Sequence, residues 1–171
     1  MKTLAVAVLC AVAALCIGAL PGTAQAAGWL VLSNTGFVSG DPTLTLTMPF
    51  VGQPSLTVQA SAAGDLKWIV VGVPLTFPQA VGNTIDAVAI CYKTSNSASF
   101  ISQTRLVEYL GPSVGFVKHD DPTDHDSTTD ECYFSSVADY TPGGAVNLWL
   151  RLNFANSTHV ISIGTVGVHF K

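Results

Sequence analysis

From residue 145 to 154 the chain alternates without a break. Val146, Leu148, Leu150, Leu152 and Phe154 have one parity; Ala145, Asn147, Trp149, Arg151 and Asn153 have the other. A period of two marks a β-strand with one face buried. The polar triplet Asn156-Ser157-Thr158 follows, and then an apolar return over residues 160–170. This pattern predicts a closing hairpin whose inner face is core. Within the return, Ile161 and Ile163 share one parity and Val166, Val168 and Phe170 the other, so the register of apolar positions flips at Gly164. The flip predicts a bulge or bend there.

Upstream, Leu44, Leu46 and Met48 alternate with Thr43, Thr45 and Thr47, and Leu56, Val58 and Ala60 with Ser55, Thr57 and Gln59. These two runs predict a second hairpin. Residues 29–32, 66–73, 85–92, 114–118 and 132–137 read as further strands. The run 85–92 is β-branched or small nearly throughout, which predicts a strand covered on both faces with Cys91 deep in the sheet. Trp29 and Trp68 are expected in the core. Residues 100–110 alternate poorly, because Gln103 and Arg105 share the parity of Ile101, Val107 and Tyr109. Ser99 could cap a helix and Gly111-Pro112 could stop one, but every neighbour is β, and a strand is predicted.

Nine to eleven strands, with no repeat and no second domain, predict an all-β fold. The expected architecture is a single-domain antiparallel β-sandwich, jelly-roll-like. An immunoglobulin domain would carry a Trp between its two cysteines, and none lies between Cys91 and Cys132.

Composition narrows the setting. Residues 1–26 read as a secretory signal peptide: Lys2, an apolar run over residues 4–20, then Ala24-Gln25-Ala26 as a small-x-small cleavage site. The expected mature domain is 27–171, which holds 6 basic and 11 acidic residues, for a net charge of −5. A mildly acidic chain without a basic patch argues against nucleic acid and anionic membrane as partners, and the mature chain has no predicted membrane span. Ser and Thr make up 29 of the 145 mature residues and supply much of its polarity, as suits a secreted, periplasmic or extracellular protein. Two cysteines then remain, Cys91 and Cys132, and the compartment predicts that they form one disulfide.

The densest chemistry is a predicted acidic loop over residues 119–131, with His119, Asp120, Asp121, Asp124, His125, Asp126, Asp130 and Glu131. Its six carboxylates, Asp120, Asp121, Asp124, Asp126, Asp130 and Glu131, are the candidate calcium ligands, since calcium takes six to eight oxygens. Pro122 and His125 stand where a helix-loop-helix calcium loop needs a ligand and a glycine, so that motif is absent. His119 and His125 lack the spacing of a zinc motif. The competing reading is a solvated surface loop. Gly111-Pro112-Ser113-Val114-Gly115 matches a nucleophile elbow literally, but the residues after it carry no helical period. Asn156-Ser157-Thr158 is a glycosylation sequon at a predicted turn. Trp149 and Arg151 occupy the polar side of an otherwise regular strand; a Trp there is expected to be covered by another strand of the chain, by a second subunit or by a ligand, which marks the two as candidate ligand or subunit contacts.

The leading expectation is an exported non-catalytic module for surface binding or assembly: adhesive, sugar-binding or structural. Its partner would be an extracellular glycan or surface, or a second copy of itself in a homo-oligomer. The alternative is a small secreted hydrolase using the acidic loop, with its carboxylates as acid/base groups or as metal ligands.

Overall fold

The alternating segments become strands, and the topology decides which of them meet. The computed structural model describes residues 27–48, 55–76 and 82–171. The expected signal peptide and the connection around residues 50–54 lie outside them. The described residues form β1 (Gly28–Leu32), β2 (Leu44–Thr47), β3 (Leu56–Ala60), β4 (Gly64–Val73), β5 (Ile85–Thr94), β6 (Phe100–Gly111), β7 (Val114–Asp121), β8 (Glu131–Tyr140), β9 (Ala145–Phe154) and β10 (Val160–Phe170). One sheet runs β2-β3-β10-β5-β8, with β1 also paired to β10; the other runs β4-β9-β6-β7. From β3 onward these are the two four-strand layers of a jelly roll, and the all-β sandwich expected from the sequence is the fold.

From β3 onward the chain changes sheet at every connection but that of β6 to β7. For that reason the predicted closing hairpin does not form. β9 pairs with β4 and β6 in one sheet, while β10 pairs with β1, β3 and β5 in the other. Both strands still bury their apolar parity: Leu148, Leu150, Leu152, Phe154, Ile161, Ile163, Val166, Val168 and Phe170 join one core between the sheets. Alternation records which face is inward and not which strand lies alongside. The first predicted hairpin does form, with Leu46 opposite Val58. Residues 100–110 lie within strand β6, as predicted.

The flip at Gly164 is a bulge. The pairing of β10 with β5 shifts between Ile163 and Val166, which turns both apolar sets inward. Cys91 and Cys132 form the expected disulfide, directly opposite one another on β5 and β8. They sit on the outer face: Cys91 is half-buried and Cys132 exposed, because β5 buries one face only. The expectation of a deeply placed Cys91 is corrected accordingly. Trp29, 43% exposed, and Trp68, half-buried, also lie on outer faces and not in the core.

One buried carboxylate ties the start of β9. Glu108 of β6 accepts hydrogen bonds from the amides of Gly143 and Gly144 at 2.5 and 2.9 Å, and pairs with Lys118 at 3.0 Å. Burial opposes its charge, but Lys118 and the two amides hold the carboxyl below the usual range. Among the described residues no helix is long and apolar enough to cross a membrane.

Candidate functional site

The outer face of the β4-β9-β6-β7 sheet carries the polar parity of β9, and register sets what stands beside each residue. Arg151 lies between Trp68 of β4 and Gln103 of β6. Trp149 lies between Val70 and Arg105, and Arg105 is opposite Asp120 of β7. Two irregularities then shape the face. The pairing of β6 with β9 slips between Ile101 and Gln103, so Ser102 is an extra residue opposite Arg151. The pairing of β4 with β9 slips between Gly64 and Lys67, which throws Asp65 and Leu66 out of the ladder. Leu66 has φ 61°, a left-handed conformation that a branched residue occupies at a cost.

Beside these bulges lies an open pocket of about 310 Å³ lined by Asp65, Phe100, Ser102, Asp124, Arg151 and Asn153. Arg151 is held from below: its Nε donates to Ser102 Oγ at 2.8 Å and its guanidinium reaches the Ser102 carbonyl at 3.4 Å. No carboxylate pairs with Arg151 among the described residues, and Arg151 lines the pocket. Asp65 and Asp124 are exposed acceptors on the rim.

Beside the pocket a second arrangement crosses the sheet. Arg105 donates through Nε and a terminal nitrogen to the two oxygens of Asp120, at 3.1 and 3.0 Å, and Gln103 donates to the same carboxylate. The Arg105 guanidinium carbon also lies 5.4 Å from the centre of the Trp68 ring. Trp68 meets Trp149 edge to face, with ring centres 5.8 Å apart. Trp149 is thereby half-covered within its own chain, and its indole Nε1 is buried without a hydrogen-bond partner among the described residues. The hydrogen bonds from Arg105 and Gln103 hold the Asp120 carboxyl below its usual range, against the effect of burial.

The predicted acidic loop is shorter than the composition implied. His119, Asp120 and Asp121 belong to β7, so the connection contracts to residues 122–130. The strand's alternation then sends neighbouring acids apart. Asp120 goes to the outer face with Arg105, whereas Asp121 turns inward and accepts a hydrogen bond from Ser135. His119 Nε2 lies 2.8 Å from the same Ser135 Oγ, which completes a chain from imidazole through hydroxyl to carboxylate. His125 pairs through its backbone with Ile101 and stacks on Tyr133 at 3.4 Å. Glu131 accepts from Tyr92 at 3.4 Å, and Asp124 lines the pocket. Asp126 and Asp130 are exposed. Among the described residues no group of three or more His, Cys, Asp or Glu side chains is arranged to hold a metal ion.

The sequence singled out Trp149, Arg151 and Asp124, and the structure places Arg151 and Asp124 in one pocket with Trp149 nearby. Asp65, Ser102 and Asn153 were missed. Ser102 had a signal: it is where the alternation of residues 100–110 fails.

No protein-family model matches the sequence, and no curated protein is similar to it. Solved structures share the fold. A family 29 carbohydrate-binding module from Piromyces equi superposes with a TM-score of 0.52 at 12% identity, over 85% of this chain and 92% of that one. The CBM22-1 xylan-binding domain of Paenibacillus barcinonensis Xyn10C gives a TM-score of 0.52 at 13% identity, over 86% and 97%. The CBM22-1–GH10 modules of Clostridium thermocellum Xyn10B, complexed with xylohexaose, give a TM-score of 0.52 at 12% identity. This chain spans 28% of that last structure and matches 86% of its own length. The likeness is one of fold.

Proposed function

We propose that the protein is an exported, non-catalytic module that binds carbohydrate through the outer face of the β4-β9-β6-β7 sheet. The carrying observation is the pocket around Arg151. A sugar offers hydroxyls that both donate and accept, together with patches of C–H surface. The pocket supplies a guanidinium as donor, Asp65 and Asp124 as acceptors, Asn153 as both, and the ring of Phe100 as apolar surface. The sandwich shared with carbohydrate-binding modules supports the same reading. Arg151 is assigned here to ligand and not to a second subunit, and Trp149 lies beside the pocket without lining it.

No step of bond making is assigned to the site. Arg151 and the two acids orient hydroxyls through charge-assisted hydrogen bonds, which are shorter and stronger than neutral ones. The serine bulge fixes the arginine before ligand arrives, so less side-chain entropy is lost on binding. The test is calorimetric titration of the mature chain with soluble xylan, glucan and mannan. Binding of at least one glycan that is weakened by Arg151→Ala, with the melting temperature retained, supports the reading. Absence of binding to all of them, or binding indifferent to Arg151→Ala, counts against it.

A further inference from the structure

We infer that the site takes the end of a glycan chain, or a short free oligosaccharide, and does not grip a polymer in mid-chain. The inference rests on the carbohydrate reading above and specifies the class of ligand.

The geometry lies in the rows of the sheet. The pocket occupies the row of Arg151 and the row of Asn153 beyond it, flanked by Asp65 of the β4 bulge on one side and Asp124 of the 122–130 connection on the other. A linear polymer crossing this floor would continue along the strands into the row of Trp149. That row is barred. Asp120 on the edge strand β7 holds Arg105, and the Arg105 side chain reaches past β9 to the ring of Trp68 on β4. The bar is a chain of contacts from β7 through β6 to β4, and Trp149 of β9 meets its Trp68 edge to face. Gln103 braces it by a further hydrogen bond to Asp120.

In the opposite direction, past Asn153, Ala155 and Asn156 are exposed. A chain can therefore enter from the Asn153 side and must stop at the bar. The cavity, about 310 Å³, lies at the small end of the range for ligand pockets. It suits a terminal unit with its neighbour better than an extended run.

The experiment compares polymer and trisaccharide of the same linkage, for soluble xylan, glucan and mannan, by calorimetric titration. Chain-end recognition predicts that the amount of protein bound follows the number of chain ends and not the mass of sugar. It also predicts that the trisaccharide retains the affinity of the polymer, and that shearing the polymer raises capacity in proportion to the ends created. Arg105→Ala, which removes the bar and leaves the pocket lining intact, should allow binding to follow polymer mass. A wild-type capacity that follows polymer mass, or an affinity that climbs steadily with chain length, overturns the inference while leaving the carbohydrate reading standing. No binding to any of the glycans overturns both.

Discussion

The Arg105 guanidinium stands 5.4 Å from the centre of the Trp68 ring although the two residues belong to strands separated by β9. Asp120 holds the arginine in that position from the other side. The ion pair is largely open to solvent, so its worth to the fold is about 0–1 kcal/mol, and the cation–π contact adds about 0.5–1 kcal/mol. Asp120→Asn should therefore lower stability by no more than about 1 kcal/mol while changing the indole environment. Tryptophan emission that shifts with an almost unchanged denaturation midpoint would bear this out. A loss of several kcal/mol would show that the bar is structural.

Leu66 is strained and gains little from its side chain, which is 59% exposed. Left-handed backbone costs a branched L-residue about 1–2 kcal/mol and glycine almost nothing. Leu66→Gly should raise stability by about 0.5–1 kcal/mol once the greater freedom of glycine in the unfolded chain is subtracted. Chemical denaturation decides it: a lower midpoint would mean that Leu66 packs against something that stabilises its conformation.

Acid should lower the stability of the fold in two stages. Burial pushes both His119 and His125 below the usual histidine value, more strongly than the neighbouring aspartates pull them up. A histidine whose folded pKa is depressed binds its proton more readily when unfolded. Its contribution is whole above the unfolded value near 6.5 and is lost as pH falls from there toward the folded value. Asp41, Asp120 and Asp121 are depressed in the folded protein, so their contribution is present above about 3.8 and disappears as pH drops through their folded values. Melting temperature measured against pH should decline first below about 6.5 and again below about 4. His125→Phe would remove part of the first decline; a profile flat from 7 to 5 would contradict the assignment.

The disulfide closes a separation of 41 residues, for which the chain-entropy model gives about 4 kcal/mol. Both cysteines are on the outer face, so replacing them with serine opens no hole in the core. The double variant should melt earlier by that order and keep its β circular dichroism. A loss below about 1 kcal/mol would contradict a closed bond in the native protein.

Much of the sandwich can be read from single residues, and so can the reason why part of it cannot. Val146 to Phe154 announce a half-buried strand because inward and outward positions alternate, and Gly164 announces its bulge because that alternation changes phase. The same signal is blind to partners. β9 and β10 look like a hairpin, yet they face each other across the core, and only the three-dimensional packing distinguishes the two. The poor alternation around Gln103 and Arg105 is the trace of the Ser102 bulge, and in sequence it looks the same as a choice between strand and helix. Asp65 left only the small-residue turn signal that ends with Gly64, because its place depends on the left-handed Leu66 beyond it. The acidic run misled in the other direction: six carboxylates close in sequence suggested one site, but three residues of that run continue β7, and a strand points adjacent side chains to opposite faces.

Placement of the sugar site beside Trp68 and Trp149 is most directly tested by fluorescence in a Trp29→Phe background. Trp29 lies on the other sheet, in β1, and the chain has three tryptophans, so only Trp68 and Trp149 would then emit. Titration with a glycan that binds the wild type should shift or quench the emission, and Arg151→Ala should abolish the change. Binding detected by calorimetry with the emission unmoved would place the ligand elsewhere and contradict the account.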